Sequence, residues 1–285
     1  MEYVTLNNGR RMPLLGYGVY QVPADECERC VSDALSIGYR LIDTAQAYFN
    51  EAGVGKAIAT SGIPRDELFV TTKVWVDNYG QEKARASVLQ SLEKLQLEYV
   101  DLVLLHQPFS DYYGAYRALE QLYREGVVKS IEVSNFYPDR LSDICAFNTV
   151  VPQVNQVETN PLNQQLDAQE NMKKHGVQIE AWAPFGEGRN DMFTNPILRE
   201  IAERNGKSVA QVILRWLVQR GVVALAKSVR ADRMKENFEI FDFVLSPQDM
   251  EQIRLLDTRK SLFFSHQEAA TVDFFVELIK KRRQS

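Results

Sequence analysis

Eight short apolar runs, each followed by a stretch of helical periodicity, constrain this chain more than any other feature. The strand-like runs are residues 14–17, 40–43, 68–74, 100–106, 128–134, 152–157, 177–182 and 222–226. Amphipathic stretches such as 24–37, 81–95, 115–125 and 209–219 lie between them, with apolar residues returning every three or four positions. Strict strand–helix alternation means a parallel sheet, and eight such units close economically into a (β/α)8 barrel. The expected fold class is therefore α/β, a TIM barrel. Residues 1–285 read as a single domain, because no linker, low-complexity segment or composition break interrupts the pattern. The opening "YVTLNNGRRMP" reads as a β-hairpin plugging the barrel's N-terminal end, with Asn8-Gly9 suited to a type I′ turn. Gly38, Gly126, Gly176 and Gly221 each follow a helical run, as C-caps do. Pro64, Pro138 and Pro161 fall in connections. Segments 186–195 and 256–275 have no counterpart in the repeat, so they are expected to overhang the C-terminal face.

Composition narrows the classes. At 45% apolar the chain can fill a large core, and a net charge of −5 supplies no positive field for nucleic acid or an anionic membrane. The terminal "KKRRQS" reads as a solvated helix end, where Lys and Arg suit the helix dipole. Three cysteines are present. Cys27 and Cys30 make a C-x-x-C inside the first helical stretch with no second pair, and Cys145 stands alone, so reduced thiols are expected rather than zinc or redox centres. No apolar run approaches the roughly 18 residues of a membrane span, and the N-terminus lacks a signal-peptide core. The expectation is a cytoplasmic protein without a membrane, nucleic-acid or metal partner.

The chemistry is concentrated at the ends of three successive runs. Asp43 and Tyr48 lie in "RLIDTAQAYFNE", Lys73 in "LFVTTKVW" and His106 in "YVDLVLLHQP". In a barrel these C-terminal strand ends converge on the face where such folds place their chemistry. An acid, a phenol, a lysine and an imidazole together suit carbonyl reduction, in which hydride arriving at carbon leaves negative charge on oxygen. A phenol with a pKa of about 10 is a poor donor near neutrality. An ammonium beside it should lower that value, with Asp43 holding Lys73 ionised and His106 orienting the carbonyl. The hydride source is not a Rossmann site, since no G-x-G-x-x-G follows a strand, and no Walker loop is present. Instead "ALAKSVRADRMKENFEIF" follows the eighth run. Lys227, Arg233, Ser228 and a helix N-terminus there can grip a phosphate, in the position where barrels commonly build one. Two cations beside a hydroxyl suit the 2′-phosphate of NADP. Other barrel chemistries fit less well. A metal hydrolase needs clustered histidines, but His106, His175 and His266 form no H-x-H. A glycosidase needs facing carboxylates; Glu132 and Glu158 are candidates, yet the neighbouring S-N and N-Q suit a cofactor better.

These segments, with "EVSNF", "VNQVE" and "AKSVRADRMKEN", resemble the aldo-keto reductase family from the hairpin to about Asp257, and most closely its bacterial diketogluconate and glyoxal reductase members. The resemblance implies NADP(H) bound in extended form, Tyr48 as general acid, Asp43 and Lys73 as its tuning pair, and His106 orienting a small-molecule carbonyl substrate. It further implies that Ser134, Asn135 and Gln156 bind the nicotinamide carboxamide and that Trp182 stacks on its ring. Phe185, Gly186 and Glu187 would cover the pyrophosphate. Lys227, Ser228, Val229, Arg233, Glu236 and Asn237 would hold the adenosine end. Tyr20, Trp75, His106, Gln107 and Phe109 would line the substrate mouth, and the family leans to a monomer. An auxiliary, cofactor-sensing subunit with little turnover is the alternative. The chain departs from the pattern at Glu132, where the family usually has Gly, and at Ala226, where Pro is common. Glu132 shares strand register with Ser134 and should face the interior, where a carboxylate must be paired or neutral; an internal ion pair is expected, with a modified proton path as the sharper alternative.

Overall fold

The computed structural model describes residues 1–284. An antiparallel ribbon, β1 (Tyr3–Thr5) and β2 (Arg11–Pro13), leads into eight further strands. These are β3 (Leu15–Gly18), β4 (Leu41–Asp43), β5 (Phe69–Val74), β6 (Leu102–Leu105), β7 (Ile131–Ser134), β8 (Val154–Glu158), β9 (Gln178–Trp182) and β10 (Val223–Ala226). From β4 on, each pairs in parallel with the one before it, and β10 returns to β3, closing the barrel. The expected (β/α)8 architecture stands. Covered by side chains inside and helices outside, the strands read as near-continuous apolar runs, and seven of the eight are buried along their whole length.

The helices begin and end where local chemistry dictates. The helix Val209–Gln219 opens on a capping box: Gln211 N–H donates to the Ser208 hydroxyl, while Ser208 N–H donates to the Gln211 side chain. Gly38, Gly126, Gly176 and Gly221 all take positive φ, as C-cap positions require. Pro138 differs from expectation. It is the first residue of the helix Pro138–Phe147 rather than part of a connection, a position where its missing N–H has no helical partner to lose.

The hairpin corrects a second expectation. A type I′ turn needs positive φ at both Asn8 and Gly9, but only Gly9 has it, at 81°. Gly9 N–H donates to Leu6 O at 2.9 Å and Leu6 N–H to Arg10 O at 2.8 Å, giving a three-residue loop with glycine at the left-handed bulge. The side chains explain the choice. Asn8 Nδ2 donates to Lys129 O and Ser130 Oγ, and Asn7 Nδ2 donates to Pro152 O. These acceptors immediately precede β7 and β8, so the tip is clamped over the barrel's N-terminal end as a plug.

At the opposite end the two extra segments overhang the mouth and hold each other. Glu158, ending β8, accepts from Ser261 Oγ at 2.5 Å and from Leu262 N–H at 2.9 Å. Arg189 Nη1 donates to Leu262 O at 2.9 Å. Gly186 has φ of 56°, and a Cβ there would lie 2.6 Å from Leu262 Cδ1, so a larger residue would be strained in backbone and would have to displace the Leu262 side chain. The helix Ala269–Gln284 then runs back across the same face.

Candidate active site

Asp43 ends β4, Lys73 is the fifth residue of β5, and His106 follows β6 by one residue. Tyr48 arrives from the 3-10 turn Gln46–Tyr48 just beyond β4. The Lys73 ammonium, wholly buried, donates to the Asp43 carboxylate and to Thr44 O at 3.0 Å. Its Nζ stands 5.0 Å from the Tyr48 ring centre. The Tyr48 ring meets His106 edge-on at 5.7 Å, and His106 meets Trp75 edge-on at 5.3 Å. The four residues singled out in the sequence thus form one contiguous group.

Burial alone would favour neutral Lys73, but Asp43 and Tyr48 overrule it and hold the ammonium above its ordinary range. Burial pushes the Asp43 carboxyl up, with Lys73 opposing. The phenol departs from expectation: desolvation outweighs the nearby ammonium and pushes Tyr48 up to about 12, so Lys73 only moderates a rise. His106 is held well below the ordinary imidazole value, first by desolvation and then by Lys73, Arg282 and His266. It is therefore neutral near pH 7, and its buried Nδ1 has no partner among the described residues.

A cleft of about 710 Å³ opens over this group. Ser134, Asn135, Gln156, Trp182 and Phe185 line it, with Lys227 at its edge. Asn135 sits at φ of 61°, a left-handed conformation that Asn tolerates. Its Oδ1 accepts from Trp182 Nε1 at 2.9 Å, which sets the indole plane. Gln156 donates from Nε2 to Asp43 at 3.4 Å and to Glu180 at 2.7 Å; among the described residues no donor reaches its carbonyl oxygen. Gly186 is buried behind the lining. Lys227 and Arg233 are exposed and enter no salt bridge among the described residues. Half-buried Ser228 and Val229 lie just before the helix Ala231–Phe238, which carries half-buried Glu236 and buried Asn237.

At the other end of the cleft Tyr20, Trp75, His106 and Gln107 line the wall. Phe109 does not. Its ring packs behind, on His266 at 6.0 Å and Phe275 at 5.6 Å. The Gln107 carboxamide is engaged by His266 Nε2 at 3.1 Å. Sequence reading missed Phe263, Phe264, His266, Phe274, Leu278 and Arg282, which the overhanging segment brings to the wall. The basic terminus corrects another expectation: Arg282 is half-buried over Trp75 at 4.6 Å and Phe49 at 5.5 Å, not simply solvated. The cysteines are free, with Cys27 and Cys30 buried and Cys145 half-buried.

Glu132 has no ion pair. Among the described residues neither of its oxygens meets a donor, and its neighbour is a second carboxyl, Glu180. Glu180 escaped sequence reading, although it stands two residues before Trp182 in the same strand register as Glu132 before Ser134.

Residues 14–258 match the model of the Aldo/keto reductase family. A glyoxal reductase of Bacillus subtilis is 46% identical over 258 residues, covering 90% of this chain and 93% of that protein. The methylglyoxal reductase DkgA of Escherichia coli is 40% identical over 262 residues, covering 91% and 94%. Among solved structures, a Bombyx mori aldo-keto reductase in complex with NADP superposes with a TM-score of 0.87 at 30% identity, covering 92% of this chain and 95% of that one.

Proposed function

The chain belongs to the aldo/keto reductase family, and we propose that it reduces small aldehydes and ketones to alcohols with NADPH, using Tyr48 as the proton donor. One observation carries this reading: a buried Lys73–Asp43 pair against the Tyr48 ring, with His106 edge-on to the same ring.

When bound, NADPH supplies the hydride. The chain's residues fit such a ligand. The Gln156 carbonyl, lacking a protein donor, can accept from a carboxamide; the Trp182 face can cover a flat ring; and exposed Lys227 and Arg233 can take a phosphate. As negative charge grows on the carbonyl oxygen, Tyr48 releases its proton toward it. The Lys73 ammonium stabilises the phenolate left behind, and Asp43 keeps that ammonium charged and in place. Neutral His106 donates its single N–H to the same oxygen and fixes its direction.

The aromatic wall of Tyr20, Trp75, Phe263 and Phe264 favours compact carbonyls with an apolar or planar body, and the names of the relatives make glyoxal and methylglyoxal the first to try. The same reading takes residues 1–285 as one domain acting as a cytoplasmic monomer, which size-exclusion chromatography tests. The alternative of a cofactor-sensing subunit draws no support from a site whose proton-donating set is complete. The deciding experiment follows NADPH absorbance with a panel of small carbonyls and with NADH in parallel. NADPH-selective turnover is expected, and Lys227→Ala with Arg233→Ala should weaken NADPH binding by about ten- to a hundredfold while sparing NADH. Equal losses for both cofactors would refute the 2′-phosphate assignment.

A further inference from the structure

Beneath the cleft, five polar side chains meet inside the barrel: Asp43, Lys73, Gln156, Glu132 and Glu180. The mechanism above uses the first three. Glu132 on β7 and Glu180 on β9 are wholly buried. Their strands flank β8, and the two carboxyls lie within hydrogen-bonding reach of each other.

The donors around them are few. Glu180 Oε2 accepts from Gln156 Nε2 at 2.7 Å. Among the described residues no donor reaches Glu180 Oε1 or either oxygen of Glu132. The ammonium in the cluster, Lys73, is committed to Asp43 and Thr44 O. Two bare carboxylates would therefore place like charges together and leave three buried oxygens unpartnered, with the desolvation of both ions uncompensated. One proton removes most of that conflict. Glu180 already accepts from Gln156, so Glu132 is the acid, donating its O–H to Glu180.

We propose that Glu132 and Glu180 are a proton-sharing pair that sets the charge beneath Tyr48, and that ionisation of this pair makes carbonyl reduction decline on the alkaline side of neutrality. The proposal rests on the reading of Tyr48 as proton donor and makes Glu132 a positioning residue, acting through Glu180, Asp43 and Lys73.

The surroundings agree with this assignment. Burial first, and Glu180 next, hold Glu132 well above the carboxylate range. Burial first, and Asp43 next, push Glu180 up to about 7. The pair therefore loses one proton near neutrality and keeps the second far longer. The charged groups acting on it are Asp43 from β4 and Lys73 from β5. β8 contributes the neutral Gln156, and β6 places Leu104 in register with Glu132. With both protons present, Asp43 and Lys73 balance. Once a proton is released to solvent, the cluster carries one excess negative charge, which favours the neutral phenol and makes Tyr48 a weaker acid.

Two near-isosteric variants freeze opposite states. In Glu132→Gln, an amide donor replaces the acid and Glu180 stays ionised across neutrality. In Glu180→Gln, Glu132 stays neutral and the excess charge never forms. Infrared or carbon NMR spectra of the cofactor-free protein, from about pH 5 to 9 so as to span ordinary and raised carboxyl values, should show a protonated carboxyl in the wild type. That signal should vanish in Glu132→Gln and persist in Glu180→Gln. The pH profile of kcat should step down near neutrality in the wild type and lose the step in both variants, flat at the lower level for Glu132→Gln and at the higher for Glu180→Gln. A wild type without the protonated carboxyl, or variants that keep the step, would overturn the proposal. A role in packing alone would lower both plateaus and leave the step in place. The spectra need no turnover, so a failure of the reductase reading is distinguishable from a failure of the pair.

Discussion

The barrel holds a buried ionic cluster at each end, and the two are built on opposite plans. At the N-terminal end, Asp101, just before β6, accepts from Arg10 and Arg65, each at 2.7 Å, and from Val70 N–H at 3.0 Å. Two cations and a backbone donor surround one carboxylate, and both its oxygens are satisfied. At the C-terminal end, three carboxyls, Asp43, Glu132 and Glu180, surround one ammonium that pairs with Asp43, and among the described residues three oxygens of the other two meet no donor. The lower cluster is compensated, so it can hold structure without consequence for chemistry. The upper one is short of positive charge and protons, so its members must shift their protonation to stay buried. Local rules are broken where function requires it, and satisfied elsewhere.

The sharpest way to break this comparison is to remove the proposed proton donor. Tyr48→Phe should cut turnover by about 10²- to 10⁴-fold while leaving NADPH affinity and the melting temperature close to wild type. A large fall in melting temperature would mean that the upper cluster is structural after all. Asp101→Ala should do the reverse. It leaves two guanidinium groups without their shared partner, and because both are partly exposed the loss should be about 3 kcal/mol, at the low end for a buried pair. That corresponds to a fall of roughly 5 to 10 °C in melting temperature, with turnover per folded molecule unchanged.

How much of this was legible follows the same division. The eight runs and the residues ending them were readable because a parallel strand buried on both faces declares itself by composition, and Asp43, Tyr48, Lys73 and His106 stand at its ends. Glu132 was visible as an anomaly, but its partner was not. Pairing Glu132 with Glu180 requires knowing that β7 and β9 flank β8 closely enough for the carboxyls to meet. Arg282 read as a solvated helix end because only the closed fold carries the helix Ala269–Gln284 back over Trp75. The direction of the Tyr48 shift also lay outside the sequence: the ammonium could be inferred from Lys73, but the opposing desolvation depends on how tightly the turn after β4 tucks into the barrel mouth.

A third test separates the clusters by pH. A carboxyl whose folded pKa is raised binds its proton more tightly in the folded state, so stability falls as pH rises from the unfolded value through the folded one. For Glu180, raised to about 7, the wild type should lose on the order of 2 to 3 kcal/mol between about pH 4.5 and 7 through this group. Glu132→Gln should flatten that slope, because the amide donor returns Glu180 toward its ordinary range. Melting curves of the two proteins across that window measure the difference directly. Parallel curves would mean that the buried pair does not titrate as its surroundings demand.

The smallest expected effect probes whether the ends are independent. Asn8 joins the hairpin plug to the strand entrances through Lys129 O and Ser130 Oγ, at 3.1 and 3.0 Å, and neither bond involves a charge. Its Oδ1 also accepts from Arg10 N–H at 3.2 Å, so Asn8→Ala should cost about 2 kcal/mol, the low end for three ordinary hydrogen bonds at a half-buried site, with the same loss at acid and neutral pH and no change in the pH profile of turnover. The position is a demanding one, because Lys129 and Ser130 lead directly into β7, which carries Glu132 two residues further on. If loosening the plug moved the neutral-pH step in turnover, β7 would be transmitting strain from one end of the barrel to the other. The two clusters would then be one device, with the compensated end holding the uncompensated end in register.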